Sequence, residues 1–260
     1  METTLVLIAC AVMGLLVGSF LTVVVDRVPR GGSVVAPPSA CGACGSRLTA
    51  LDLVPVFSWL ALRGRCRHCG KNIGIEPLVL ELSNATIFVL FGLRFDADPA
   101  LVAFCILGAA LVALVWIDLR EFRLPREISY TAFALGTIAL MVAALVDDEP
   151  ERIWQAFLGA GIALAIMGGI FLLARRMGGM GEGDVRLAPL LGLYLGYLNP
   201  GIVPIGLFFG FLIGAVAGVA MMAVGKAGRR TALPFGPFLA LGTVVAVFIG
   251  QPAVDLIWQA

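Results

Sequence analysis

Charged side chains are scarce in this chain of 260 residues, where Asp, Glu, Lys and Arg together make up only 13%. Soluble domains usually carry about 25% charged residues. With 60% hydrophobic residues and a mean hydropathy of +1.01, the composition excludes an ordinary water-soluble domain and indicates a polytopic membrane protein. The net charge is only +1 and no long acidic or basic tail is present, so nothing favours nucleic acid as a partner.

The first apolar segment, 4–25, has no basic lead-in and no obvious small-residue cleavage site before a polar chain. We therefore expect a retained membrane span rather than a removed signal peptide. A helix needs roughly 20 apolar residues to cross the hydrocarbon core. The further candidate spans are 77–94, 99–117, 128–146, 153–174, 186–198, 201–225 and 233–254. Together these segments predict an all-α polytopic membrane protein with about eight transmembrane helices.

The segment 186–198 is the shortest of these candidates. As a helix it would rise only about 20 Å, which is less than the thickness of the hydrocarbon core. If it crosses and the N-terminus lies outside, 16 of the 18 Lys and Arg residues face the cytoplasm. If this segment entered the membrane and returned on the same side, Lys226, Arg229 and Arg230 would lie outside the cell, against the positive-inside rule. We therefore favour eight crossings. A short membrane helix requires a locally thinned bilayer or water that reaches inward. Asp184, just before this helix, should therefore lie below the ordinary cytoplasmic surface of the membrane.

The longest polar stretch is the loop 26–76 after the first helix. It contains two CxxC pairs, formed by Cys41, Cys44, Cys66 and Cys69. This spacing predicts a zinc-ribbon-like loop with a tetrahedral four-thiolate site, in which a closed shell makes Zn²⁺ structural rather than catalytic. The rival interpretation is a redox dithiol, which the reducing cytoplasm disfavours. His68 stands inside a pair that already completes the metal shell, so we expect it to be a bystander.

Two carboxylates stand at the predicted cytoplasmic ends of membrane helices. Asp118 closes the third span, and Asp184 ends the run Gly-Met-Gly-Glu-Gly-Asp. Two acids brought together at a lipid boundary can share one proton, as peptide hydrolysis by an aspartyl enzyme requires. The glycines would let a substrate strand approach Asp184 closely. Glu81 lies inside a span, where an acid is costly and therefore a functional candidate.

Several motifs in this order resemble the type IV prepilin peptidases, which are bifunctional leader peptidases and N-methyltransferases of the GxGD aspartyl protease group. The resemblance covers nearly the whole chain. The motifs are Gly18-Ser19-Phe20-Leu21, Arg27-Val28-Pro29, both CxxC pairs, Pro55-Val56-Phe57-Ser58-Trp59, Leu62-Arg63-Gly64-Arg65-Cys66, Pro77 and Glu81, Asp118 with Leu124-Pro125, Gly181-Glu182-Gly183-Asp184-Val185, and Pro234-Phe235-Gly236-Pro237-Phe238.

The resemblance implies that Asp118 and Asp184 are the catalytic pair. Gly181, Glu182 and Gly183 would form the loop at the active site, and Glu81, Arg27 and Arg186 are added as further functional candidates. It implies the bacterial inner membrane, with the active site on the cytoplasmic side. The substrate would be a prepilin or pseudopilin of a type IV pilus or type II secretion system, with a short basic leader before an apolar helix.

The family's methyl transfer implies S-adenosylmethionine as a second ligand, and no Gly-rich cofactor loop on a βαβ unit supports it independently. Thr22 stands where the family usually has Asn, and Arg186 where it usually has Lys. The element around Glu81 is also offset by one residue. Because the first helix and its loop are associated in the family with methyl transfer, the resemblance implies peptidase activity more directly than methylation.

The expected organisation is a first transmembrane helix at 1–25, a cytoplasmic zinc-binding loop at 26–76 and a seven-helix peptidase core at 77–260. One alternative is a proton- or cation-coupled transporter using Asp118, Asp184 and Glu81, although transport carboxylates are expected near the midplane. A membrane thiol oxidoreductase and a non-enzymatic scaffold with a docking loop are two others. Glycines at 159, 161, 168, 169, 206, 210, 214 and 218 fit internal packing and dimerisation equally well, which leaves the oligomeric state open.

Overall fold

The computed structural model describes residues 1–174, 181–225 and 233–259. Within these residues the regular structure is helical, which confirms the predicted all-α class. The helices are α1 (Glu2–Arg27), α2 (Phe57–Ala61), α3 (Glu76–Phe95), α4 (Ala100–Glu121), α5 (Arg126–Val146), α6 (Glu151–Ala174), α7 (Glu182–Leu198), α8 (Ile202–Ala223) and α9 (Gly236–Gln259). Short 3₁₀ turns follow α1 at Val28–Arg30 and precede α2 at Ala50–Leu53.

Seven helices in the described parts of the chain are long and apolar enough to cross a membrane: α1, α3, α4, α5, α6, α8 and α9. These seven correspond to seven of the eight predicted spans. Helix α7, with 17 residues, is not among them, so its crossing stays a prediction. The basic residues at 175, 176, 226, 229 and 230, on which the expected orientation partly depends, lie outside the described residues.

Helix α7 begins four residues earlier than the sequence predicted, at Glu182 rather than at 186. Gly181 is extended at its N-cap, and two acidic residues in the first turn suit the positive end of the helix dipole. Asp184 therefore lies inside the first turn and not before the helix. The longer helix rises about 26 Å, which is still short of the roughly 30 Å core. Helix α4 likewise extends to Glu121, which puts Asp118 in its last turn.

The chain divides into two compact units, and the first comprises Met1–Leu101 with Gly108–Ala113. Here α1 and α3 pack closely because Gly14 and Gly18 have no side chains. A Cβ at Gly18 would lie 2.6 Å from the Cα of Glu81, and one at Gly14 would lie 2.6 Å from the Cα of Ala85. Asn84, which is fully buried, donates from Nδ2 to the Gly14 carbonyl at 2.7 Å.

The second unit comprises Val102–Leu107 and Leu114–Ala260. Its centre is α7, which is buried almost continuously from Leu187 to Tyr197. A Cβ at Gly196 would lie 2.7 Å from the Cα of Gly159, so these glycines set the spacing of α6 and α7. A Cβ at Gly206 would lie 2.6 Å from Leu195 of α7 and 3.2 Å from Ala246 of α9, and one at Gly210 would lie 3.1 Å from Leu239 of α9. Internal packing thus accounts for the glycines at 159, 206 and 210, whereas those at 161, 168 and 169 have no described neighbour within 4 Å.

Candidate active site and metal site

Asp118 is buried at the end of α4, within the second unit. Its Oδ2 accepts a hydrogen bond of 2.9 Å from the backbone N–H of Gly236, the first residue of α9. A Cβ at Gly236 would stand 2.8 Å from that same oxygen, so a larger residue would displace the carboxylate. The bond joins two positions 118 residues apart and fixes the carboxylate against the start of another helix.

Asp184 is buried in the first turn of α7, in the same unit. Its N–H donates to the Gly181 carbonyl at 3.3 Å, and its Oδ2 lies 3.5 Å from where a Cβ of Gly181 would stand. Its carboxylate is also close enough to Asp118 for their negative charges to interact. The structure therefore brings together the two acids that the sequence singled out, from the end of one helix and the start of another.

Leu124 packs against both α7 and α9 beside the two aspartates. Its Cβ lies 3.2 Å from the Cβ position of Gly183, and its Cδ2 lies 3.0 Å from that of Gly236. The turn after α4 thus contacts the starts of both α7 and α9. Sequence reasoning did not assign a role to Leu124 or Gly236, although both belong to motifs that carried the family resemblance. No spacing rule connects residues so far apart, so only the resemblance could have drawn attention to them.

The other residues of the GxGD segment differ in their exposure and in their neighbours. Glu182 and Arg186 form an exposed ion pair with 2.7 Å between Oε2 and Nη2, one helical turn apart. Among the described residues, Gly181 has only the Asp184 side chain and the Gly183 backbone nitrogen near its Cβ position, whereas Gly183 is covered by Leu124. That these glycines let a substrate approach the backbone closely stays a prediction.

Glu81 and Arg27 belong to the first unit, and each contacts the loop between α1 and α3. Glu81 is buried and its Oε2 accepts the backbone N–H of Val56 at 2.7 Å. Val56 is held at φ +62°, a left-handed conformation that is unusual for a β-branched residue. Arg27 donates from Nη1 to the carbonyls of Ser33 and Pro37, at 3.0 and 2.7 Å. Both candidates thus shape the loop.

The four cysteines of the loop form a compact cluster whose sulfur atoms all lie within 4.8 Å of one another. The Sγ atoms of Cys41 and Cys69 are 3.9 Å apart, and those of Cys44 and Cys66 are 4.0 Å apart. Four sulfurs at about 2.3 Å from a tetrahedral Zn²⁺ stand about 3.8 Å apart. The cluster can therefore hold a metal ion, and its geometry fits zinc.

Two matching turns present these cysteines. The N–H of Gly45 donates to the Cys41 carbonyl and that of Gly70 to the Cys66 carbonyl, both at 2.9 Å. Gly45 and Gly70 have φ of +72° and +67°, which only glycine adopts readily. Each turn is closed by one antiparallel bridge, between residues 40 and 47 and between 65 and 72. This repeated geometry confirms the predicted zinc-ribbon-like loop.

Asp52 ties the second cysteine turn to the preceding 3₁₀ turn. Its Oδ1 accepts a 2.7 Å hydrogen bond from Nε of Arg67, between the second pair of cysteines. Hydrogen bonds from the side chain and backbone of Thr49, together with Arg67, lower the pKa of Asp52 to about 2. Asp52 is therefore ionised at neutral pH and bonds to both segments, so it helps to hold the loop in one arrangement.

These features define a multi-pass membrane protein with two buried aspartates at helix ends and a four-cysteine cluster able to hold a metal ion. A model of the bacterial peptidase A24 N-terminal domain matches residues 12–95, and one of the type IV leader peptidase family matches residues 105–219. No solved structure matches the chain.

Three relatives, each named prepilin leader peptidase/N-methyltransferase, match nearly the whole chain. The Pseudomonas putida protein is 32% identical over 96% of this chain and 93% of its own length. The Burkholderia pseudomallei strain 1026b protein is 35% identical over 93% and 84%, and the Bacillus subtilis protein 28% over 94% of both. The chain belongs to the type IV leader peptidase family. The predicted family is thus confirmed, with a multi-pass location in the bacterial inner membrane, and no finding supports the transporter alternative.

Proposed function

We propose that the chain is a membrane aspartyl endopeptidase that removes the short basic leader of prepilin or pseudopilin substrates, with Asp118 and Asp184 as its catalytic pair. Family membership supports the peptidase activity. The observation that carries the residue assignment is the meeting of two buried acids from α4 and α7, beside the Gly236 N–H. Buried acids that interact with each other are rare outside functional sites.

The proposed mechanism uses one proton shared by the pair. Close carboxylates cannot both ionise cheaply, so the pair holds a single proton. The charged member takes a proton from water as the water oxygen attacks the scissile carbonyl carbon. The protonated member hydrogen-bonds the carbonyl oxygen, and a proton passes to the leaving amine as the C–N bond breaks. The Gly236 N–H would keep Asp118 in place throughout.

The substrate strand would approach from the Gly181 side, because among the described residues that backbone is the less obstructed part of the GxGD segment. Its apolar helix would lie among the membrane helices, with the scissile bond at the cytoplasmic boundary. In this arrangement α7 crosses the membrane and the N-terminus lies outside. The positive-inside distribution of Lys and Arg supports that orientation. The division at 25 and 76 into first helix, cysteine loop and peptidase core is part of the same proposal.

We assign Zn²⁺ to Cys41, Cys44, Cys66 and Cys69 as a structural ion. Bound there, zinc would supply folding free energy to a loop with few apolar residues. Four thiolates complete its shell and leave no position for a reacting water. The chemistry of cleavage is therefore left to the aspartates.

N-methylation of the new N-terminus is proposed as a second activity on the names of the relatives alone. Two polar side chains of α1 and α3 form hydrogen bonds within the protein. Thr22 donates to the Ser19 carbonyl at 2.7 Å, and Asn84 donates to Gly14. These contacts do not identify residues that would hold S-adenosylmethionine, so no step is derived for methyl transfer. Incubating protein with cleaved prepilin, with and without the methyl donor, would detect a methyl group by mass.

The test of the proposed peptidase uses purified full-length protein in lipid and a synthetic prepilin. Asp118→Asn and Asp184→Asn should each lower the cleavage rate by roughly 10³-fold or more, since each removes a proton-transfer group. Glu127→Gln is the matched control, because Glu127 is an exposed acid at the start of α5 and pairs with Arg126. Cleavage near the wild-type rate by either Asn variant would contradict the aspartyl assignment.

A further inference from the structure

Helix α2 and the turn before it carry an apolar face that is exposed in the folded chain. Leu51, Phe57 and Leu60 expose 69%, 70% and 56% of their surface, and Val54 is also exposed. Single exposed apolar residues are ordinary, but a contiguous group of large ones marks an interaction surface. We call Leu51, Val54, Phe57 and Leu60 the α2 face.

The orientation of this face is fixed by the opposite side of the helix. Pro55 is buried, and Nε1 of Trp59 donates to the Gly74 carbonyl at 2.7 Å. Hydrogen bonds from Ser58 N to Val54 O and from Leu60 N to Val56 O keep the segment helical. Within α2, Phe57 and Leu60 are three residues apart and share one side, and Trp59 lies on another. The α2 face therefore points away from the loop's own interior.

The hydrogen bond between Val56 and Glu81 fixes the position of the α2 face along the axis of α3. Glu81 lies five residues into α3, about 7.5 Å along the helix from its start. Helix α3 is one of those able to span the membrane. Because Glu81 binds the backbone of residue 56 at 2.7 Å, α2 is held level with the first turns of α3. Leu82, the next residue of α3, is also exposed at this level.

The charge around the α2 face favours anionic lipid. Between positions 28 and 75 the sequence has six Lys and Arg residues and a single acid, Asp52, which is already bound to Arg67. Arg63 and Arg65 are exposed immediately after α2. Apolar residues followed by exposed basic residues are typical of segments that lie in the interface of anionic membranes.

We propose that the α2 face is a membrane-binding surface, which enters the boundary between headgroups and acyl chains while Arg63 and Arg65 contact anionic phospholipid headgroups. Through the bond from Val56 to Glu81, the cysteine loop is then seated on the bilayer instead of standing free in water. The apolar segment of a prepilin fits this surface less well, because its basic leader would meet a loop of the same sign. The inference does not depend on the assignment of the catalytic pair.

Photocrosslinking of the full-length protein tests this surface in liposomes of phosphatidylethanolamine and phosphatidylglycerol. The benzophenone amino acid p-benzoylphenylalanine replaces Phe57 or Leu60. It also replaces Leu82 as the lipid-facing reference and Ala43, exposed in the first cysteine turn, as the water-facing control. We expect phospholipid adducts at 57 and 60 in similar yield to position 82, and roughly tenfold above position 43. Retained cleavage of prepilin shows that each variant is folded.

Adducts at 57 and 60 that only match position 43 would overturn the proposal. Adducts to added prepilin in place of lipid at these positions would overturn it in favour of a substrate-docking surface. A second arm tests the charge. Replacing phosphatidylglycerol with phosphatidylcholine, or introducing Arg63→Gln with Arg65→Gln, should lower the adduct yield at 57 several-fold and leave position 82 unchanged. Equal yields at 57 under all these conditions would refute the role of anionic headgroups.

Discussion

The cysteine site and the aspartate site are assembled in opposite ways. The four cysteines lie within 28 residues of one another, and each pair is oriented by its own turn with a glycine at positive φ. Asp118, by contrast, is held by a residue 118 positions away, and it meets Asp184 only because α4, α7 and α9 converge. Local geometry is enough to build the first site, whereas the second depends on the packing of a whole helical unit.

Removing one thiolate should give the largest effect, because it acts on the local site directly. Cys66→Ser leaves three ligands, and structural zinc sites contribute on the order of 10 kcal/mol to folding. We expect the variant to lose its bound zinc and the loop to become sensitive to protease. Metal analysis and limited proteolysis of the protein in lipid measure both effects. Cys10→Ser is the control, since Cys10 is buried in α1 against Gly92 and is not part of the cysteine cluster found among the described residues.

A Cys66→Ser variant that kept full zinc and an intact loop would show that the cluster is not a metal site. It would also remove the distinction between the two sites, because the cysteine loop would then need support from elsewhere in the fold.

Gly236→Ala tests the long-range site at the hydrogen bond that fixes Asp118. The added methyl would lie 2.8 Å from Oδ2 of Asp118 and 3.0 Å from Leu124, so the carboxylate must move. Displacing a reacting group by about 1 Å can cost about 10²-fold in rate. We expect a loss of that order in prepilin cleavage, with bound zinc unchanged. An unchanged cleavage rate would mean that the Gly236 contact does not position Asp118.

Gly192→Ala tests whether the aspartate site depends on helix packing at a distance. Its Cβ would lie 2.6 Å from the Cβ of Ala163, which forces α6 and α7 apart. Overpacking of this kind typically costs about 1–3 kcal/mol, so we expect a lower melting temperature and weaker cleavage with unchanged zinc. Gly161→Ala is the matched control on α6, because no described residue lies within 4 Å of that position. Equal melting temperatures for the two variants would contradict this account of the α6–α7 contact.

The features that the sequence predicted well are those encoded over short distances. The spacing of Cys41, Cys44, Cys66 and Cys69 implied sulfurs that converge on one metal ion. The long apolar segments likewise predicted the spanning helices, since hydropathy follows directly from composition. The proximity of Asp118 and Asp184 was also predicted, but from topology and family resemblance together and not from spacing.

The features that the sequence missed depend on contacts between distant segments. Gly236 and Leu124 have no local pattern that links them to an acid on another helix. The start of α7 was predicted too late. Hydropathy marks apolar residues only, so Glu182 and Asp184 were left outside the predicted span, although acidic residues are favourable in the first turn of a helix. Glu81 was expected as an intramembrane acid, but its bond to Val56 joins it to a loop whose path the sequence did not reveal.

The central claim is that Asp118 and Asp184 act as one catalytic unit, and the double variant tests it most directly. The measurement compares prepilin cleavage rates of Asp118→Asn, Asp184→Asn and the protein carrying both changes, each with an unaltered melting temperature. Residues that act as a unit are strongly non-additive, so the double variant should be no slower than the slower single variant. Losses that multiply in the double variant, or a single variant that cleaves at the wild-type rate, would contradict the claim.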